Sequence, residues 1–283
     1  MLYFEINEFE QEQTVHQSGN FPIGIYHRTL RKSRNDELVW HWHEEFQLTL
    51  VLTGSLKLSV EKSDYSVDEG KGILINSRRL HHAVPLTDAA EYICIDFSPR
   101  FINEALYQSS IKEIESNSCF ECALLTLTIS QQAILGEIVE ANRSSSYNFL
   151  KIYELILSCL NDIEKYPASQ AKKEDHSIYR LLDYVHQNYH RNITVAEIAQ
   201  VIPINKNKCT HLFKEYTNQS PMNYTIDYRL LKSKELLLNT DSSVSEICFA
   251  VGFNNLSYFI AKFNKRFNSS PTNYRKKFHR VEV

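Results

Sequence analysis

The chain has 283 residues, room for two domains, and its 43% hydrophobic and 23% charged content describes a globular protein rather than a disordered one. No apolar run approaches a membrane span and no basic-then-apolar leader opens the chain, so a cytoplasmic protein is expected. The formal net charge of −3 hides an asymmetry: residues 176–283 hold 15 Lys and Arg against 8 Asp and Glu, net +7, and residues 1–175 carry −10. That division suits one half that meets a polyanion and one that does not.

In chain order, residues 40–62 (WHWHEEFQLTLVLTGSLKLSVEK) alternate apolar and polar, which predicts two strands joined by a hairpin turn at Thr53-Gly54. Residues 65–84 (YSVDEGKGILINSRRLHHAV) continue with an acidic-Gly turn and a buried Ile-Leu-Ile strand. Short strands with Gly turns predict a small β-barrel or sandwich. His41 and His43 share one face of a strand, because side chains alternate. Two readings of this neighbourhood stay open. In one, His41, His43, Glu45, Gln47 and His82 line a pocket in the barrel mouth for a small-molecule effector. In the other they are surface or strand-edge residues beside Trp40 and Trp42.

Residues 129–143 and 147–166 read as helices with apolar faces, the second through Phe149/Leu150, Tyr153, Ile156/Leu157 and Leu160. Such helices either pad the barrel or pair with a second subunit. Residues 167–175 (PASQAKKED) lack apolar periodicity and read as a linker. Six cysteines at irregular spacing form no secreted disulfide framework, and Cys119-Phe-Glu-Cys122 is a lone C-x-x-C without a second pair, so reduced cysteines are expected.

The C-terminal segment is written twice. TVAEIAQV (194–201) and FKEYTNQSPMNY (213–224) recur as SVSEICFA (243–250) and FNKRFNSSPTNY (263–274), at an offset of 49 and then 50. The extra residue falls in the short turn, Pro203-Ile204 in the first copy against Gly252-Phe253-Asn254 in the second. Each copy opens with a capping box, Thr194 with Glu197 and Ser243 with Glu246, which predicts a short helix. Asn205 and Asn255 are placed to cap a second helix. That helix buries Cys209, Leu212, Phe213 and Tyr216 in the first copy, and Phe259, Phe263 and Phe267 in the second. Two helices across a short turn make a helix-turn-helix, whose second helix can enter a major groove. An all-α bundle with a duplicated hairpin is the competing reading.

The residues that carry a specific match are ITVAEIAQ, HLFKEYTNQSPMNYTIDYRLLKSKELL, SEICFAVGFNNLSYFIAKFNKRFNSSP and NYR (273–275). Over these roughly 100 residues the chain resembles the DNA-binding domain of the AraC/XylS transcription regulators. The N-terminal half resembles the cupin-type sensor domain that precedes many of them. The resemblance implies an α+β protein, with a cupin-like β-barrel sensor at 1–128, a helical dimerisation segment at 129–166, the linker, and an all-α domain at 176–283. In that domain two helix-turn-helix subdomains are joined by a long helix over about 220–239.

Carried over by position, the base-reading residues are Asn207, Thr210 and His211 in the first recognition helix, and Leu256, Ser257, Ile260 and Ala261 in the second. Lys206, Lys208, Lys214, Lys262, Lys265, Arg266, Arg275, Lys276 and Lys277 are assigned to the phosphate backbone. The second helix departs from the family pattern, since Ile260 and Ala261 can touch a thymine methyl but cannot pair bidentately with guanine. Arg229 matches a family Arg and is read as a helix-packing residue. Cupins that bind metal use H-x-H, a downstream Glu and a later His. Here Gln47 stands in place of the Glu, and His81 or His82 could supply the third imidazole. The effector pocket is preferred to a zinc or iron site, and no metal, cofactor or catalytic residue is assigned. The implied function is an effector-responsive activator of transcription, a homodimer whose partners are promoter DNA and RNA polymerase. Against it stand a metal-dependent cupin enzyme fused to a DNA-binding domain, and an architectural DNA binder without sensing.

Overall fold

The computed structural model describes residues 5–6, 12–13, 23–101, 103–117, 120–144, 148–163 and 177–278. The chain divides into two compact units, Met1–Glu174 and Asp175–Val283. The expected linker at 167–175 lies outside the described residues, as do residues 164–166 of the second expected helix, and Cys119. Among the described residues no helix is long and apolar enough to cross a membrane.

The N-terminal unit is a sandwich of antiparallel sheets. Its strands are β1 (Glu5–Ile6), β2 (Glu12–Gln13), β3 (Ile23–Arg31), β4 (Leu38–His41), β5 (Phe46–Thr53), β6 (Ser55–Val60), β7 (Ser63–Asp68), β8 (Lys71–Ile75), β9 (His81–Pro85), β10 (Ala89–Phe97) and β11 (Cys122–Thr126). β1 and β2 pair with each other. Five strands form one sheet in the order β11-β8-β5-β10-β3, and four form the other in the order β4-β9-β6-β7. Strand parity sorts the two cores. Phe46, Leu48 and Leu50 of β5, with Ile93, Ile95 and Phe97 of β10, face a core shared with helices. Val51, Tyr92 and Cys94 of the same strands face the core between the sheets, with Leu56, Leu58 and Val60 of β6. Gln47, Thr49 and Asp96 sit at the same parity as that inner set and are buried.

Thr53-Gly54 is not a hairpin turn. β5 pairs with β8 and β10, whereas β6 pairs with β7 and β9 in the opposite sheet. The dipeptide is therefore a corner that carries the chain across the sandwich. Gly54 has φ +75°, and a Cβ there would overlap Ala89 O and the Thr87 hydroxyl, so both backbone angle and space demand glycine. Outside the five-stranded sheet lie α1 (Glu104–Leu106), a π turn (Tyr107–Ile111), α2 (Lys112–Glu115), α3 (Ile129–Ser144) and α4 (Phe149–Asn161). Helix α4 buries Ile152, Leu155, Ile156 and Cys159. Its buried face is thus turned from the expected one: Leu150 is 78% exposed and Leu157 37%. Lys151, Glu154, Ser158 and Asn161 recur at steps of three and four as a polar stripe, and Leu150 and Leu157 fall beside it.

The C-terminal unit is helical: α5 (Ser177–Asn188), α6 (Val195–Gln200), α7 (Lys206–Thr217), α8 (Pro221–Asn239), α9 (Val244–Ala250), α10 (Leu256–Phe267) and α11 (Pro271–Phe278). Both capping boxes form, on α6 and α9. Asn205 and Asn255 cap α7 and α10 by accepting from Lys208 N at 2.9 Å and Tyr258 N at 2.8 Å. Asn218 and Asn268, repeated fifty residues apart, end those helices in the left-handed conformation that Asn tolerates. Gly252, at φ +87° in the second turn, lies so close to Tyr189 and His190 that a Cβ would overlap their backbone. Cys209, Leu212 and Phe213 are buried as expected, but Tyr216 is half-buried. Thr217 completes the face instead, its hydroxyl donating to Phe213 O at 2.7 Å. Phe263 and Phe267 pack with Tyr274, Phe259 packs on Phe263, and burying side chains of this size stabilises by roughly 1.5–3 kcal/mol each.

Candidate functional site

Recognition helix α7 presents a polar and cationic outer face. Lys206, Asn207, Lys208, His211 and Lys214 are exposed and Thr210 is half-buried. Steps of three and four place 207, 210, 211 and 214 side by side, because the apolar residues at 209, 212 and 213 claim the opposite face. His211 Nε2 stands 3.7 Å from Glu215 Oε2, which puts one carboxylate at the edge of the cationic face.

Helix α10 offers less hydrogen-bonding chemistry. Ser257 and Ala261 are exposed, but Leu256 and Ile260 are half-buried. Lys262 Nζ lies over the Tyr258 ring at 5.3 Å, and Lys265, Lys276 and Lys277 are exposed. Two assigned backbone contacts are committed elsewhere. Arg266 Nε donates to Asp227 Oδ1 of α8 at 2.8 Å. Arg275 donates to Leu237 O at 3.0 Å and Ser242 O at 2.6 Å, tying α11 to the end of α8 and the loop beyond it. Their guanidinium groups hold helices together. Arg229 does the same for the first copy, donating to Tyr189 O at 2.6 Å and Arg191 O at 2.7 Å. Sequence reasoning missed Tyr258, which is 44% exposed, and Asn264. Asn264 lies seven residues beyond Ser257 and three beyond Ala261, so helical spacing alone could have found it.

In the N-terminal unit the structure brings His41, His43, His81 and Gln47 together. His41 of β4 pairs across the sheet with His81 of β9. Gln47 comes from β5 of the opposite sheet, and His43 from the turn between β4 and β5. One ring nitrogen from each of the three imidazoles lies within 4.8 Å of the others. His43 and His81 are buried and His41 half-buried. Each Nδ1 rests on a main-chain carbonyl: His41 on Val39 O at 2.7 Å, His43 on Glu45 O at 3.1 Å, His81 on Arg79 O at 2.8 Å. A carbonyl only accepts, so Nδ1 carries the proton, and the Nε2 atoms of His43 and His81 face Gln47. Gln47 Nε2 donates to Thr49 Oγ1 at 3.0 Å, which aims Gln47 Oε1 at His43 Nε2 (3.2 Å) and His81 Nε2 (2.9 Å). Burial, and then the neighbouring imidazoles, hold His41 well below the usual histidine range and His81 down at about 3, so both are neutral near pH 7.

The pocket expected around His82 is accordingly corrected. His82 faces the other way, stacked on Trp40 at 5.2 Å with Nε2 3.9 Å from Glu37. The alternation of β9 settles which histidine turns inward, His81, Ala83 and Pro85 being buried and His82 and Val84 not. Glu45 lies behind His43 on its Nδ1 side, Oε2 at 3.7 Å, and not in the cluster. A cleft of about 380 Å³ does occur in this unit, between residues 106–120 and α4, lined by Leu106, Ile114, Phe120, Leu157 and Leu160. Its buried walls belong to the helix-covered core, on the face of the five-stranded sheet opposite Gln47. Cys122 is driven up to about 11 by burial, a poor basis for redox chemistry.

Family profiles match two parts of the chain: an AraC-like ligand binding domain over residues 26–198 and a helix-turn-helix domain over 198–277. An uncharacterized HTH-type transcriptional regulator, YdeC, of Bacillus subtilis (strain 168) is 31% identical, over 98% of this chain and 99% of its own length. The lactose operon transcription activator of Staphylococcus xylosus is 27% identical over 51% of this chain and 52% of its own. Among solved structures, ToxT from Vibrio cholerae O395 bound to (E)-4-(8-methylnaphthalen-1-yl)but-3-enoic acid has the same fold. It aligns with a TM-score of 0.52 at 18% identity, covering 90% of this chain and 99% of ToxT.

Proposed function

The chain belongs to the AraC-type transcriptional regulators, with a ligand-binding domain and a helix-turn-helix DNA-binding domain, and from that premise we propose that α7 reads the bases of a promoter while α10 chiefly holds the backbone. The observation that carries this reading is the asymmetry of two equivalent, identically capped helices. One exposes Asn207 and His211, with Thr210 half-buried beside them, between lysines; the other exposes Ser257 and Ala261 and half-buries Leu256 and Ile260. Asn can pair bidentately with adenine, and a Thr can offer a hydroxyl and a methyl. Lys206, Lys208, Lys214, Lys265, Lys276 and Lys277 then neutralise phosphates. Helix α8 has 19 residues, about 28 Å at 1.5 Å per residue, of the order of the ~34 Å turn of duplex DNA.

In the same reading the protein acts in the cytoplasm as a homodimer with no catalytic role. Leu150 and Leu157, seven residues apart and exposed on one side of α4, support pairing through the helical segment. A small-molecule input to the N-terminal unit biases the dimer toward a form that engages promoter DNA and RNA polymerase, as a population shift. Kinship with an operon activator supports activation over repression. Selection of binding sites from random duplexes tests the reading. It should enrich a two-part motif, with strong base preferences in one part and weak ones about a helical turn away. Equal enrichment of all sequences would mean an architectural binder instead.

A further inference from the structure

We infer that Arg229 is a positioning residue for DNA recognition, whose guanidinium locks α7 and α10 into one rigid pair from the junction between the two helix-turn-helix subdomains. Helix α10 then grips only the phosphates that lie at a fixed place relative to the bases under α7. This role rests on the DNA-binding reading proposed above and names what sets its geometry.

Two modules joined by a helix stay free to pivot unless further contacts cross between them. Here the loop before α6, the middle of α8 and the turn after α9 converge. Gly252 of that turn lies so close to Tyr189 O and to the His190 backbone that no Cβ fits between them. From α8, Arg229 spans the same loop, Nε donating to Tyr189 O at 2.6 Å and Nη2 to Arg191 O at 2.7 Å. Its guanidinium carbon also stands 5.8 Å from the centre of the Phe253 ring. Arg229 is buried, and a buried cation is costly unless paired; the two carbonyls and the ring supply the pairing. One side chain thus touches a loop of the first subdomain and a turn of the second.

From this junction packed rings reach both recognition helices. Phe253 packs on Phe259 of α10 at 5.1 Å. Tyr189 meets Tyr228 of α8 edge-on at 5.2 Å, Tyr228 stacks with Tyr224 one turn earlier, and Tyr224 packs on Phe213 of α7 at 5.6 Å. Arg266 near the end of α10 adds a second tie, to Asp227 of α8. Interiors packed this closely transmit a displacement rather than absorb it. The planar fork of an arginine fixes two carbonyls at once, which the point charge of a lysine does not reproduce. A rigid pair gains from its second helix only where both can engage together. The competing account makes Arg229 a stabilising residue and nothing more; it predicts that loss of the fork weakens every DNA contact alike.

Full-length wild-type protein and Arg229→Lys are compared by phosphate-ethylation interference on the selected operator, with thermal melts of both. The wild type should show two clusters of sensitive phosphates, one around the bases under α7 and one about a helical turn away. In Arg229→Lys, interference in the second cluster should fall by about fivefold or more while the first stays within about twofold, and affinity for a short duplex that ends before the second cluster should also stay within about twofold. Equal weakening of both clusters, or two unchanged clusters, overturns the role of Arg229. A wild type that shows the first cluster without a fixed second one overturns it too and leaves the α7 reading standing, whereas a wild type with no sequence-selective binding overturns both. If Arg229→Lys does not fold, Phe253→Leu decides: it keeps apolar bulk and removes the ring beneath the guanidinium, and an unchanged second cluster in that variant overturns the inference.

Discussion

Arg275 separates a DNA-contacting residue from a structural one. Charge alone places it on the phosphate backbone, yet its guanidinium spans Leu237 O at 3.0 Å and Ser242 O at 2.6 Å. Hydrogen bonds from a charged donor are worth about 1.5–3 kcal/mol each when buried. Arg275 is half-buried and one of the two bonds is exposed, so Arg275→Ala should destabilise the C-terminal unit by about 1–3 kcal/mol in total. A true phosphate contact behaves differently, since each one lost lowers the slope of log affinity against log salt by about 0.9. Urea unfolding followed by the aromatic signal, together with operator binding across a salt series, reads both quantities. The expected result is lower stability with an unchanged salt slope. Stability within about 0.5 kcal/mol of wild type, with the slope reduced by about one, would refute the structural assignment.

Gly252→Ala combines a left-handed backbone, costing about 1–2 kcal/mol for a residue with a Cβ, with overlap against the Tyr189 and His190 backbone; an unfolding free energy lowered by less than about 1 kcal/mol would contradict that packing. Ser243→Ala should remove the α9 cap and cost about 1 kcal/mol by the same melts, and no loss would mean the capping box contributes nothing. His186 is buried against Tyr224 and Tyr228, Nε2 2.6 Å from the Tyr224 hydroxyl, and burial, with Lys232 nearby, lowers its pKa to about 3. The unfolded chain takes up this proton below about pH 6.5 and the folded unit does not until about 3, so stability is full above 6.5 and drains as pH falls between them. His186→Phe should flatten that slope between pH 7 and 5 by up to about 1.4 kcal/mol per pH unit; equal slopes in both proteins would disprove the linkage.

What could be read from the sequence was what local chemistry decides. The capping boxes at Thr194 and Ser243, the caps at Asn205 and Asn255 and the phenylalanine stripe of α10 all depend on residues three or four apart, and all form. Sheet membership is not local. The alternation of 40–62 foretells strands but cannot say that β5 and β6 join different sheets, because parity records a face and not a neighbour. The same limit left His81 and His82 unresolved until β4 supplied the register that sets His41 against His81. Arg266 and Arg275 show the same limit: the acceptors that they donate to, Asp227 and Leu237, lie about forty residues earlier in the chain. Charge counting sees the cation and not its partner.

The central claim is that specificity resides in α7, and Asn207→Ala tests it most directly. Binding of wild-type and variant protein is measured on the selected operator and on every single-base change within it. The account predicts a loss of about 1–3 kcal/mol on the preferred sequence, with discrimination erased at one or two base pairs and retained elsewhere. A uniform loss across all sequences, or discrimination that vanishes only when Ser257 and Ala261 of α10 are replaced, would contradict it.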